Sequence, residues 1–379
     1  MPIHREVELP MRLHSQSLTL PYRVGELTGA QARLQGRYVV EPDVDVSGKS
    51  FACSAEVDWL VFGVSLRNVT QSVHVSTLLS PILRRQPHVE GPNGESHYTG
   101  NDFRIRVQQP KRRKLDEVLF ELDDRWGLVG EPRPLQIEVS LDFYPKDETD
   151  ETRRMMVGIL QRHFLAPDEH VEGKMAKGRF FFTYGNPPRK KTFRIYSKKG
   201  ATTPLIDSTV YFGKEGAPVT WRIMDKTTDD RKGVKAMALM QDKKRARIEV
   251  TLGDATVAAM GLETLDDLKS PFFTKLRKPY FEFRLPTFDE VEGKGIEAAR
   301  EKYEELRWSL FAQAGVYGLL RMDRAADVTR ADLNRKRTEG KVRAPDGTLR
   351  RLRVGENARL VAYGALHRRI GAALRNLNL

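Results

Sequence analysis

Between about Ser50 and Pro286 apolar residues recur at every second position in a series of short runs: "EVDWLVFGV", "LQIEVSLDFY", "RFFFTY", "TFRIY", "STVYFG", "VTWRIM", "RARIEVTL" and "YFEFRL". Successive side chains of a strand leave opposite faces, so this period predicts strands, and the turn signals between the runs make the sheets largely antiparallel. Within the series, "DETDETRRMMVGILQRHFL" opens with acids and then carries Met156, Ile159, Leu160 and Phe164 at helical spacing, which predicts a helix after "LDFY". Beyond Pro286 the period becomes helical. Ile296, Ala299, Tyr303, Leu306, Leu310, Ala314 and Tyr317 mark one face of a long helix. Another is expected from about Glu356, with Ala362, Leu366, Ile370, Ala373 and Leu377 on one side and Arg359, Arg368, Arg369 and Arg375 largely elsewhere. The expected class is α+β: an N-terminal segment (1–50), an α+β domain (51–290) and a basic helical region (291–379).

The chain has 379 residues, 40% of them hydrophobic, enough for an ordinary buried core. Its start, "MPIHREVELPMRLH", lacks the apolar stretch of a signal peptide, and no apolar run is long enough to span a bilayer. A cytoplasmic location without membrane association is the expectation. Cys53 is the single cysteine, which excludes an internal disulfide, a zinc ribbon and a dithiol redox pair, and it reads as a buried apolar residue.

Charge points toward a partner. The formal net charge is +13, and residues 330–379 hold thirteen basic against four acidic residues. A polyanion is favoured. The basic positions of that end include Arg350, Arg351, Arg353, Arg368 and Arg369. A second run, "RKKTFRIYSKK", sets Arg189, Lys190, Lys191, Arg194, Lys198 and Lys199 around Phe193 and Tyr196, a mixture that suits phosphate contact together with stacking on unpaired bases. Read otherwise, the run is a solvated hairpin, and the helix after Glu356 either packs with a solvated charged side or touches DNA.

Alternation also sorts the polar residues. In "LQIEVSLDFY" the residues Leu135, Ile137, Val139, Leu141 and Phe143 build the core, leaving Glu138, Ser140, Asp142 and Tyr144 on the other face; in "RARIEVTL" that face holds Arg247, Glu249 and Thr251. In "TFRIYSK" it holds Arg194, Tyr196 and Lys198. Carboxylates so placed can hold Mg²⁺ or Mn²⁺ while arginines neutralise a phosphodiester and a phenol attacks phosphorus. The plainer use of such a face is cross-strand ion pairing, for instance Arg247 with Glu138. His88 and His97 flank the turn in "HVEGPNGESH" without a metal-binding spacing, and no P-loop, dinucleotide fingerprint or nucleophile elbow is present.

The succession "LQIEVSLDFYPKD", "TVYFGKEGAPVTWRIMDK", "RARIEVTLG" resembles the rolling-circle replication initiators of plasmids and some filamentous phages, in the class lacking a His-hydrophobic-His metal motif; the likeness runs over roughly residues 58–252. The resemblance implies a protein that binds double- and single-stranded origin DNA, nicks one strand through a phosphotyrosine, leaves a 3′-hydroxyl primer and later rejoins the strand. The covalent link conserves the phosphodiester energy, in keeping with the missing P-loop. It implies Asp142, Glu249 and Glu138 as metal-site acids for Mg²⁺ or Mn²⁺, and Arg222 and Lys226 as basic residues flanking the catalytic tyrosine. That tyrosine falls on Met224. Either another phenol serves, with Tyr196 first and Tyr211 second, or the protein binds an origin or operator without cutting it and recruits host replication factors. A host helicase and a homodimer are both compatible with the sequence.

Overall fold

The computed structural model describes residues 4–12, 16–27, 34, 36–167, 178–184, 187, 189–197, 200–229, 237–289, 296–338, 341–343, 349–351 and 359–379, with 4, 197, 296, 324–338, 341–343 and 349–351 described as backbone only. The class is α+β with antiparallel sheets, as the alternation requires. In chain order the main elements are β1 (His4–Pro10), β2 (Ser17–Glu26), β3 (Arg37–Pro42), β4 (Phe51–Gln71), α1 (Ser72–Leu83), β5 (His88–Glu90), β6 (Thr99–Gln108), α2 (Arg112–Trp126) and β7 (Leu128–Pro145). There follow α3 (Asp150–His163), β8 (Gly178–Tyr184), β9 (Arg189–Arg194), β10 (Thr209–Phe212), β11 (Val219–Lys226), β12 (Arg245–Leu252), β13 (Arg284–Asp289), α4 (Ile296–Thr338), β14 (Leu360–Ala362) and α5 (Gly364–Arg375).

Nine strands form one sheet in the order β5-β6-β4-β7-β12-β11-β10-β8-β9. Its apolar face presents Ile137, Val139, Leu141, Phe143, Trp221, Ile223, Ile248 and Val250, all buried, to Met156, Val157, Ile159 and Leu160 of α3. Each of those α3 side chains contributes roughly 1.5–3 kcal/mol on burial. Thr149 caps α3 by accepting a hydrogen bond from the Thr152 amide, with Asp150 and Glu151 in the first turn and Arg162 and His163 in the last, the polarity the helix dipole favours. Arg153 then ties the helix to β11 through Asp225, at 2.6 Å.

The sequence's three divisions meet in space. β1, β2 and β3 share a five-stranded sheet with β13 and β14, so the first 50 residues and the last 20 close one unit around residues 284–289. The final helix begins at Gly364, later than expected, because Leu360–Ala362 pairs with Arg284–Pro286 as a strand. Leu366, Ile370 and Leu374 of α5 are buried, and Arg369 donates to the Phe51 carbonyl at 2.7 Å.

In α4 the inward face differs from the apolar reading. Leu306 is 53% exposed, whereas Glu304, Arg307 and Asp323 are buried with Phe311 and Tyr317. Arg307 pairs with Glu304 at 2.9 Å and with Asp323 at 3.3 Å, so charged residues that satisfy one another occupy the positions a hydrophobic pattern assigns to solvent. The helix is interrupted at Gly315, whose φ of 63° is open to glycine and where a Cβ would stand 2.4 Å from the Arg162 carbonyl oxygen.

His163 is buried beneath this packing. Its Nδ1 donates to the Arg284 carbonyl at 2.8 Å, so Nε2 accepts from the Tyr22 hydroxyl at 3.1 Å. Burial, with Arg162 beside it, pushes the imidazole down to about 3. The unfolded chain takes up a proton below about pH 6.5 and the folded chain does not, so stability is complete above that pH and falls by roughly 1.4 kcal/mol per unit as pH drops toward 3. Between pH 7.5 and 5.5 this group is expected to contribute a loss of about 1.4 kcal/mol, read as the difference between parent and His163→Gln in the pH dependence of the urea unfolding free energy.

Candidate functional site

On the other face of the large sheet, register pairing arranges the polar residues in rows across the strands. One row crosses seven strands as Arg194, Arg179, Tyr211, Arg222, Glu249, Ser140 and Glu56. At about 4.8 Å per strand it spans roughly 29 Å and runs from basic at the β9 edge to acidic at the centre. Beside it lie the row Met224, Arg247, Asp142, Ser54 and the row Thr220, Thr251, Glu138, Trp59.

A bulge in β4 adds one more acid. Val57 pairs with Val139 and Trp59 with Glu138, which leaves Asp58 as the extra residue and turns it toward this face. Asp58, Glu138 and Glu249 each offer a carboxylate oxygen, all within 4.8 Å of one another. Two arginines hold them. Arg247 reaches Asp58 at 2.8 Å and Glu249 at 3.3 Å, and Arg222 reaches Glu138 at 2.9 Å and Glu249 at 2.5 Å. Thr251 donates to the second Glu138 oxygen at 2.6 Å. Asp142, fully buried, accepts two hydrogen bonds from Arg247 at 2.5 Å and is also met by Arg245 at 3.0 Å. Glu138 therefore pairs with Arg222, while Arg247 serves Asp142, Asp58 and Glu249.

Five carboxylates (Glu56, Asp58, Glu138, Asp142, Glu249) face three guanidinium groups (Arg222, Arg245, Arg247), a formal excess of two negative charges. Burial, then repulsion from Glu249 and Asp142 working against Arg247, pushes the Asp58 carboxyl up to about 6. Burial raises Glu249 and Glu56 as well. It works to lower Arg247, but the acids, Asp142 foremost, hold that guanidinium above its ordinary value. Three hard oxygen donors with surplus negative charge could hold Mg²⁺ or Mn²⁺, in competition with the arginines that now hold them. Asp142 lies outside this triad, with both oxygens on Arg247.

The phenols divide. Tyr211 lies in the central row, stacked on Phe181 at 5.2 Å with the Arg179 guanidinium 5.0 Å from its ring centre. Burial, with Glu249, raises its pKa, and Arg222 and Arg179 act in the opposite direction. Tyr211 pairs with Arg222 and is thus diagonal to Met224, a separation of roughly 7–8 Å that an aromatic side chain bridges. Tyr196 follows the β9 edge strand, about 19 Å in strand spacings from β12, in a two-residue ladder with Gly200–Ala201 and with Arg321 at 4.5 Å over its ring. Tyr144 sits against Asp142 and Arg245, and burial raises its phenol to about 12.

The remaining candidates are dispersed. Lys226 is half-buried, 3.9 Å from Asp229 and in electrostatic reach of Glu249. Arg189, Lys190, Lys191 and Arg194 are exposed on β9, with Lys190 over Phe181 and Lys191 over Phe193. Arg368 is exposed on α5. Arg350 and Arg351 lie in the Leu349–Arg351 strand, described as backbone only, and Lys198, Lys199 and Arg353 lie outside the described residues. Sequence reasoning missed Asp58, whose signal is a break in alternation: Val57 and Leu60 both point into the core.

Arg247→Met removes the guanidinium shared by Asp142, Asp58 and Glu249 and is expected to cost about 3–5 kcal/mol in urea unfolding; Asp142→Leu combined with it relieves one of the three stranded acids and is expected to recover only part of that loss. Compared with models of known protein families and with curated proteins, the chain matches none.

Proposed function

We propose that the chain is a plasmid or phage replication initiator that binds origin DNA and nicks and rejoins one strand through Tyr211. The observation that carries this reading is the row in which Arg179, Tyr211, Arg222 and Glu249 are consecutive cross-strand neighbours, set against the Asp58–Glu138–Glu249 triad. Arg179 donates to the Gly213 carbonyl at 2.6 Å and makes no carboxylate pair among the described residues, which leaves its other N–H groups for a phosphodiester. The half-exposed Arg222 holds its acids and faces the same ground.

In this mechanism the Tyr211 hydroxyl oxygen bonds to phosphorus as the P–O3′ bond breaks, giving a 5′-phosphotyrosine and a free 3′-hydroxyl. The phenolic proton passes to the acidic cluster, in which Glu249 is the carboxylate in electrostatic reach of Tyr211, and the departing O3′ takes up a proton. Arg179 and Arg222 offset the charge that gathers on the phosphoryl oxygens. Asp58, Glu138 and Glu249 would hold Mg²⁺ or Mn²⁺, which supplies Lewis-acid polarisation of a phosphoryl oxygen when bound. Reversal by the 3′-hydroxyl rejoins the strand without ATP. The exposed lysines and arginines of β9, beside Phe181 and Tyr184, suit the unpaired strand, and action in the cytoplasm with a host helicase accompanies the role.

A second reading has its own observation: every acid of the triad already has an arginine partner, which an origin-binding protein without nicking activity would also show. Incubation with supercoiled plasmid and with a single-stranded oligonucleotide pool in Mn²⁺, followed by nuclease trimming and mass spectrometry, separates the two. The expected adduct lies on the peptide containing Tyr211. Tyr211→Phe is expected to abolish it and Tyr196→Phe to preserve it. An adduct elsewhere overturns the assignment, and no adduct with intact binding favours the binding-only reading.

A further inference from the structure

Two arginines of β6 share the polar face with Trp59 of β4, and their surroundings differ. Arg104 is held by Glu90 at 3.2 Å and by both oxygens of Asp254, the nearer at 2.6 Å. Arg106 has no carboxylate within ion-pair distance among the described residues. Its guanidinium instead lies 4.0 Å from the centre of the Trp59 ring, and its buried Nε has no hydrogen-bond partner. Burial lowers its pKa and Glu138 works against that, so the group stays charged, partly desolvated and without an acid of its own. Such a group is costly unless an anion meets it. Trp59 is directly opposite Glu138, which places the pair beside the carboxylate triad on the side away from Tyr211.

We propose that Arg106 and Trp59 form a subsite for the nucleotide next to the reacting phosphate in single-stranded nucleic acid, Arg106 taking its phosphate and the Trp59–Arg106 stack its base. This rests on the nicking reading above, in which the phosphate under attack lies between Tyr211 and the triad. A tryptophan face and a guanidinium plane both stack on unpaired bases, and a paired base in a duplex does not offer its face.

The test is fluorescence anisotropy of a labelled single-stranded oligonucleotide and of its duplex, titrated with the full chain over a range of salt. Arg106→Gln is expected to weaken single-strand binding about tenfold and to reduce the log-log salt slope by about 0.7, while Arg106→Lys keeps the slope. Trp59→Leu is expected to lose about tenfold with the slope unchanged. Duplex affinity is expected to stay within about twofold of the parent for all three variants, with circular dichroism checking the fold. Equal losses on both DNAs, or single-strand binding like the parent's, overturn the subsite while leaving the nicking reading in place if the parent forms its adduct. A parent that neither binds single strands nor forms the adduct overturns both.

Discussion

The Asp142–Arg247 pair sets the geometry of the polar face. Asp142 is completely buried and engages two nitrogens of Arg247, which orients the third toward Asp58 and Glu249. Taking both charges out of water costs several kcal/mol per ion, so the pair is a poor source of stability. Its effect is positional. One guanidinium connects β4, β7 and β12 and keeps Asp58 and Glu249 close despite their repulsion. Arg222 does the same for Glu138 and Glu249 from β11. Acids brought this near, with more negative than positive charge in the cluster, are the basis of the proposed cation site.

On the nicking reading proposed above, that arrangement gives Met224 a neighbour that could stand in for the missing phenol. In an antiparallel sheet a residue on the neighbouring strand reaches the space over a diagonal position. Tyr211, diagonal to Met224 and directly opposite Arg222, brings a phenol to this ground from β10. Tyr196 has the more suggestive local sequence but stands beyond the far edge of the sheet against Arg321, which is why the proposal takes Tyr211.

Much of the fold was legible because a period of two is a strong signal. The strands of residues 135–143 and 245–252, the α3 helix and the sorting of Glu138, Asp142, Arg247 and Glu249 onto one face all followed from it. The rest depended on long-range pairing. No local pattern says that residues 4–42 complete a sheet with 284–289 and 360–362, or that Arg369 anchors on Phe51. In α4 the inward Glu304, Arg307 and Asp323 read as solvent-facing until their mutual pairing is seen. Asp58 was hidden by its bulge, and only the strand order shows that Tyr211 lies in the row of Arg222 and Glu249 while Tyr196 does not.

On the proposed function, Asp58, Glu138 and Glu249 form a divalent-cation site rather than an ion-pair cluster alone. Electron paramagnetic resonance titration of Mn²⁺ into the full chain at pH 7.5, without DNA, tests it most directly. One Mn²⁺ per chain is expected, with affinity at least about tenfold weaker in a folded Asp58→Asn, Glu249→Gln double variant. No bound Mn²⁺ in the parent, or equal affinity in parent and double variant, would contradict the claim and leave these acids as partners of Arg222 and Arg247 only.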